Sequence, residues 1–287
     1  MKKRPFLAAL FCLLPFAMVK ADSQFPKISV QLWSVKDDIK RDIDDTLAKL
    51  AAMGFEGVEF AGVFGPYADQ PAALKARLDE LGLACSGAHI GFDALNETNR
   101  YRTLAFYQAL NCPTLIVPWD ERAFAADTVK QTVADLNQFY PLVSAYGLHF
   151  GYHNHAQEFS SGGHGSKTLW DYIASHTPDD LVLQQDVGWS YFAGHDPAAY
   201  VRSYPGRTLT THYKAKLRDS DKGKKTLIGQ DGINWQQLLS ANIEVGGTHW
   251  LVVEQEEYPD NLTPMQAVEK SKQGLDKEIQ RWRKTTK

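Results

Sequence analysis

The chain is poor in cysteine, with only three in 287 residues. Cys12 falls in an N-terminal segment that reads as a leader, so Cys85 and Cys112 remain. Two cysteines are too few for a disulfide scaffold; they permit one bridge without dictating it. The absence of a clear Cys–His pair argues against a thiol nucleophile, and no Gly-x-Ser-x-Gly elbow offers a serine one. An excess of basic charge is also missing, with 31 Lys and Arg against 34 Asp and Glu. Without a basic stripe, binding to nucleic-acid phosphates has no electrostatic support. No proline- or glycine-rich linker, low-complexity tract or internal sequence repeat divides the chain, and after residue 21 no apolar run is long enough to span a bilayer.

The leader begins Met1-Lys2-Lys3-Arg4, continues as an apolar run from Pro5 to Val19 and ends Val19-Lys20-Ala21. A basic start, an apolar centre and a small residue at the end define a secretory signal peptide over residues 1–21. As a membrane anchor the run falls short of the ~20 apolar residues required, and Pro15 interrupts it. Phe11 before Cys12 does not suit lipoprotein cleavage. Four basic residues and no acidic ones lie in this segment. The expected mature chain, 22–287, is therefore mildly acidic, and the expected location is secreted or periplasmic.

Short β-rich runs then alternate with amphipathic segments. The strands read as Ile28 to Trp33, Gly57 to Ala61, Ala84 to His89, Thr114 to Pro118, His149 to His153, Leu181 to Asp186, Thr208 to Tyr213 and Trp250 to Glu254. Helices are expected at Ile43 to Met53, Pro71 to Leu81, Thr128 to Tyr146, Trp170 to His176 and Pro197 to Tyr204, with Met265 to Trp282 as the closing one. Gly54, Gly82 and Gly147 stand where helix ends favour glycine. Eight strand–helix units in about 250 residues predict a single (β/α)8 barrel. The rival, a doubly wound open sheet, is disfavoured because no glycine-rich phosphate loop follows the first strand.

Catalytic groups of such barrels gather at the C-terminal ends of the strands. Four of the runs end there in potential metal ligands: His153-Asn154-His155 with Glu158, Asp186, His212, and Glu254. Carboxylates with an imidazole suit a divalent ion such as Mn, Co, Mg or Zn. Asp186 is expected as a ligand rather than a helix cap, because the next apparent helix begins only near Pro197. Lys214 lies two residues beyond His212, on the same strand face, where its cation can hold a substrate oxyanion. Glu254 ends an apolar run and needs a cation or a hydrogen-bond network to offset desolvation; Glu256 and Glu257 read as solvated loop charges. In the fifth strand Glu158 is taken as the ligand, with His153 as the alternative ligand or a proton-transfer group and His155 beside substrate. Gln31, Glu59 and His89 near earlier strand ends, with Trp33, Trp119 and Trp189, are expected to bind substrate: polar groups beside aromatic faces suit sugars.

These residues together, Tyr152-His153-Asn154-His155 with Glu158, Asp186-Val187-Gly188-Trp189, Gly194-His195-Asp196-Pro197, His212-Tyr213-Lys214 and Val253-Glu254-Gln255, resemble the xylose isomerase-like TIM-barrel superfamily. Within it the chain is similar to the sugar phosphate isomerase/epimerase group, from about Ile28 to Trp282. The resemblance implies a divalent metal held by Glu158, Asp186, His212 and Glu254. It departs from many relatives at Ala215, where they carry Asp, and at Gly229-Gln230-Asp231-Gly232-Ile233-Asn234-Trp235, a variant of their Gly-x-Gly-x-x-Asp-Trp. The expected activity is metal-dependent isomerisation or epimerisation of a small sugar or keto-sugar through an enediolate, with Glu158 and Glu254, or His153 in place of one, moving the proton. The alternatives are elimination from a 3-keto-glycoside at the same site and a barrel that binds carbohydrate without catalysis. An exported enzyme meets few phosphorylated sugars, so the phosphate in the group's name is not carried over. Nothing in the sequence specifies an oligomeric state.

Overall fold

A computed structural model describes residues 25–163 and 165–286 of the protein. The leader expected at residues 1–21 lies outside the described residues. Eight parallel strands close into a barrel: β1 (Lys27–Gln31), β2 (Gly57–Phe60), β3 (Ala84–His89), β4 (Thr114–Val117), β5 (His149–His153), β8 (Val182–Asp186), β9 (Thr210–Tyr213) and β10 (Trp250–Val253). β1 pairs with both β2 and β10, which closes the ring. The single-barrel architecture expected from the sequence is therefore the one found. An unanticipated antiparallel hairpin, β6 (Ser161–Gly163) with β7 (Ser166–Thr168), is inserted after β5.

Period-two alternation sorts each strand between two layers. Outward side chains such as Phe60, Phe150, Leu183, Tyr213, Leu251 and Val253 join the helices' apolar faces in one buried cluster. The helix Ile43–Ala52 shows how such a face arises. Ile43, Thr46, Leu47 and Leu50 are its buried residues, at helical spacing, and the Asp42 side chain caps its start by accepting from Asp45 N at 3.0 Å. It stops at Gly54, whose φ of +84° suits a residue without Cβ. The last helix, Pro264–Thr285, opens with a Thr263–Gln266 capping box and buries Val268, Leu275 and Ile279. Cys85 in β3 and Cys112 just before β4 are joined in a disulfide, with Cα atoms 4.9 Å apart; the sequence had left this pairing open.

The segment that departs from the family's Gly-x-Gly-x-x-Asp-Trp pattern braces the outside of β9. Asp231 accepts from Ile233 N at 2.7 Å and from Trp235 Nε1 at 3.0 Å, and the Trp235 ring stacks on Tyr213 with centroids 5.3 Å apart. Burial pushes the Asp231 carboxyl up to about 7. A carboxyl whose folded value exceeds its unfolded value of about 3.9 binds its proton more tightly when folded. Its contribution to stability is full below pH ~4 and lost as the pH rises through about 7. Melting curves should therefore show the wild type losing up to a few kcal/mol relative to Asp231→Asn between pH 4 and 8. A difference independent of pH would contradict the burial effect.

Candidate metal centre at the barrel mouth

The inward side chains at the C-terminal strand ends form one connected polar layer. Strand register sets Gln31 beside Glu59, His153 beside Gln184, and Asp186 beside His212. Gln184, fully buried, is the hub. Its Nε2 donates to Glu59 Oε1 at 2.7 Å and to Thr210 Oγ1 at 2.6 Å. A carboxylate only accepts, so this fixes the amide's orientation and turns Oε1 toward the imidazoles. His89 Nε2–H donates to it at 2.7 Å and His153 Nδ1–H at 3.0 Å. His153 therefore keeps the lone pair of Nε2, which faces Asp186 Oδ2 at 3.8 Å. Burial, then the neighbouring imidazoles of His212, His89 and His155, hold His153 well below the usual histidine range, so it is neutral as a ligand must be.

Asp186 divides its two oxygens between two tasks. Oδ1 accepts from Trp189 N at 3.0 Å and so caps the short helix Val187–Phe192. The sequence reading had set capping aside because the next helix seemed distant; that short helix begins immediately after Asp186. Oδ2 is buried and has no hydrogen-bond partner among the described residues. Burial, the dominant influence, pushes the carboxyl up to about 6. Asn154 fixes this strand end to β5 by donating to Asp186 O at 3.2 Å and accepting from Asp186 N at 3.0 Å. Gly188 allows β9 to approach, since a Cβ there would lie 2.6 Å from the Lys214 carbonyl oxygen.

His212 is held between two carboxylates, with Nε2 2.5 Å from Glu59 Oε2 and Nδ1 2.9 Å from Glu254 Oε2. Burial opposes its charge, but Glu59 and Glu254 outweigh burial and push it up to about 10. Glu254 and Glu59 are both lowered despite burial: Lys214 and His212 act on the first, His212 and His89 on the second. The buried Lys214 ammonium lies 3.3 Å from Glu254 and 3.4 Å from Asp186 and also pairs with Glu256. These carboxylates keep it charged against the burial that opposes charge.

His153, Asp186, His212 and Glu254 each offer a ligand atom within 4.8 Å of the others, and all four are buried; His212, held charged between Glu59 and Glu254, would release a proton on binding an ion. The set fits a divalent cation on the structure's own terms: Asp186 Oδ2 is a buried carboxylate oxygen that accepts no hydrogen bond among the described residues and meets the Lys214 ammonium only at 3.4 Å, and His153 Nε2 has a free lone pair beside it. Glu158 is not among them. The loop after β5 carries it into the 3-10 turn Gln157–Phe159, where it is fully buried and accepts from Tyr152 Oη and from His155 N, each at 2.9 Å. Tyr152 precedes the inward His153 by one residue and so points to the outer layer, and Glu158 goes with it. Burial raises Glu158 to about 7. The structure thus assembles His153, Asp186, His212 and Glu254 where the sequence reading had proposed Glu158 as the fifth-strand ligand.

Above this layer opens a cavity of about 490 Å³ lined by Trp33, His89, Trp119, His153, His155, Glu254 and Glu256, among others. Trp33 and Trp119 stand half exposed at its rim. Trp119 packs edge-on against His155, with ring centroids 4.7 Å apart. His155 is pushed down to about 4 by burial and then by Lys214, and its buried Nδ1 has no partner among the described residues. Trp189 stands behind His155 with its ring under Lys214 and Lys216. Gln31 and Glu59, expected to touch substrate, are fully buried below the cavity and do not line it. Gln31 Nε2 instead donates to Glu59 at 2.7 Å and to His89 Nδ1 at 3.3 Å, while Glu59 holds His212. Sequence reasoning missed Glu256, which lines the cavity and pairs with Lys214; Glu257 does act as a surface charge, with Lys216 at 2.7 Å. Gln184 and Asn154 were also passed over. An inward position before Asp186 and the centre of a His-Asn-His run were the signals available for them.

Fold and donor set together define a (β/α)8 barrel with a cluster of His, Asp and Glu at its mouth that could hold a metal ion. The sequence model of the xylose isomerase-like TIM barrel matches residues 47–285, and the chain belongs to that family. An inosose dehydratase of Salmonella typhimurium is 23% identical over 271 residues, covering 80% of this chain and 86% of that protein. A sugar phosphate isomerase/epimerase structure from Parabacteroides distasonis is similar with a TM-score of 0.72 at 21% identity, covering 89% of this chain and 97% of that one. For a structure of an L-ribulose 3-epimerase the values are 0.65, 15%, 91% and 98%. At these identities the structural likenesses establish the fold.

Proposed function

We propose that the protein is a divalent-metal-dependent enzyme that removes a proton beside the carbonyl of an unphosphorylated keto-sugar or keto-cyclitol and then expels a β-oxygen. The observation that carries this reading is the convergence of His153, Asp186, His212 and Glu254 on one buried point, where Asp186 Oδ2 accepts no hydrogen bond among the described residues. Its resemblance to an inosose dehydratase supports elimination as the outcome. When bound, the ion supplies Lewis acidity that polarises the substrate carbonyl and acidifies the adjacent C–H. Glu254, held ionised by Lys214 and His212, takes that proton. Lys214 sits beside it to hold the oxyanion that develops.

Elimination needs only this one base. The C–H pair becomes the new C=C bond, the β C–O bond breaks with its electrons on oxygen, and protonated Glu254 returns the proton to that oxygen. Isomerisation or epimerisation by two carboxylates, the reading in which Glu158 and Glu254 share the proton, has less support because Glu158 is turned into the outer layer. The lining contains Glu254 and Glu256 and neither lysine nor arginine among the described residues, and the Lys214 ammonium beneath it is already matched by Asp186, Glu254 and Glu256, which favours an uncharged substrate over a phosphorylated one. Export through the leader would place such an enzyme outside the cytoplasm.

Incubation of metal-loaded protein with keto-sugars and keto-inositols in D2O, followed by NMR and by enone absorbance, tests the reading. Enone formation that Glu254→Gln slows by about 10²–10⁴-fold is the expected result. A deuterated keto-sugar rearranged without loss of oxygen would replace elimination with isomerisation or epimerisation. Sugar binding with no exchange for any substrate would leave a carbohydrate-binding barrel.

A further inference from the structure

Beside the mouth lies a second cavity, of about 610 Å³, whose walls include Phe64, Ile90, Ala94, Phe106 and Tyr107. Ile90 also lines the mouth cavity, so the two spaces share a wall on the catalytic face of the barrel. Phe64 belongs to the segment after β2, and Ile90 and Ala94 to the one after β3. The groove is aromatic: Phe64 stacks on Phe60 at 5.1 Å and meets Phe106 edge-on at 4.9 Å. Its charged members, Asp69 and Arg102, are exposed. Polarity thus falls from the metal centre outward, whereas a single sugar ring requires hydrogen-bonding groups on every side. Each cavity alone lies within the ~300–1,000 Å³ of a small-ligand site.

We propose that this groove is a subsite for a planar apolar substituent, an aryl aglycone, joined to a sugar ring that occupies the mouth. The inference rests on the sugar reading of the mouth and extends it, since an aglycone attached through the β-oxygen is the group that elimination releases as an alcohol or phenol. The flat rings of Phe64, Phe106 and Tyr107 complement an aromatic face, and the position of the groove next to the mouth, on the other side of Ile90, favours a group attached to the sugar bound there.

Unoxidised phenyl and methyl β-glucosides test the subsite by calorimetry on metal-loaded protein, because neither has a carbonyl to start the reaction. The phenyl glucoside should bind at least about tenfold more tightly. Ala105→Trp, which fills the groove from an exposed position, and Ala94→Phe, which fills it from within, should each remove that preference and leave methyl glucoside binding unchanged. Equal affinities in the wild type, a preference that survives both variants, or no binding of either glucoside would overturn the proposal. A dimer that Ala105→Trp dissociates would assign the groove to a second copy of the chain, and also overturn it. Keto-sugar elimination without aryl preference defeats the subsite alone; aryl preference without proton exchange upholds the subsite and defeats the reading of the reaction.

Discussion

Replacing His153 with alanine is expected to weaken divalent-metal binding by about 10²-fold or more, while Glu158→Gln leaves it within about threefold. The contrast follows from which way each side chain faces. His153 Nε2 has a free lone pair 3.8 Å from Asp186 Oδ2, fixed there because Nδ1–H is committed to Gln184. Both oxygens of Glu158 are occupied by Tyr152 Oη and His155 N. A glutamine there can accept only one of those donors, so Glu158→Gln should cost about 1–3 kcal/mol of folding stability. It also removes a buried carboxyl raised to about 7, so part of that loss should be recovered above neutral pH, where the wild type carries a desolvated charge. Isothermal titration with Mn or Zn, paired with thermal melts of the metal-free proteins, separates the two effects. Full loss of metal binding in Glu158→Gln with retention in His153→Ala would restore the ligand set first read from the sequence.

The strands were legible because each is a short apolar run bounded by turn residues, and their observed ends lie within two residues of the expected ones. Three ligand candidates were legible for the same reason: Asp186, His212 and Glu254 lie at, or within one residue of, the ends of strands that lead into the mouth. Glu158 lies beyond its strand, and neither spacing nor residue type tells whether a loop turns back to the mouth or folds behind β5. Asp186 was read as ligand against cap, a choice the structure does not impose, since a carboxylate has one oxygen for each. Gln31 and Glu59 were placed one layer too high. In a closed barrel the depth of an inward residue depends on the stagger of neighbouring strands, a property of pairing and not of local sequence. Glu256 reads as a surface charge in the sequence because the buried ammonium it meets, just past β9, lies some forty residues earlier.

Lys214→Met should retain metal binding yet lower kcat by about 10²–10³-fold with little change in KM, the signature of an interaction that strengthens as oxyanion charge develops. Methionine keeps much of the stem's volume and removes the ammonium, the cation shared by Asp186, Glu254 and Glu256. In the metal-free protein its loss leaves buried carboxylates uncompensated, with an expected cost of about 3–5 kcal/mol in stability. Adding metal should recover much of that cost, because an ion that binds only the folded state stabilises it by mass action. The variant should therefore melt well below the wild type without metal and much closer to it with metal. A purely structural lysine would give the stability loss without a kcat defect in the metal-loaded enzyme. Conversely, a lysine that bound substrate equally in ground and transition states would raise KM and leave kcat unchanged. The combination of retained metal, depressed kcat and metal-restored melting is specific to an ammonium placed beside Glu254 to carry the charge that proton removal creates.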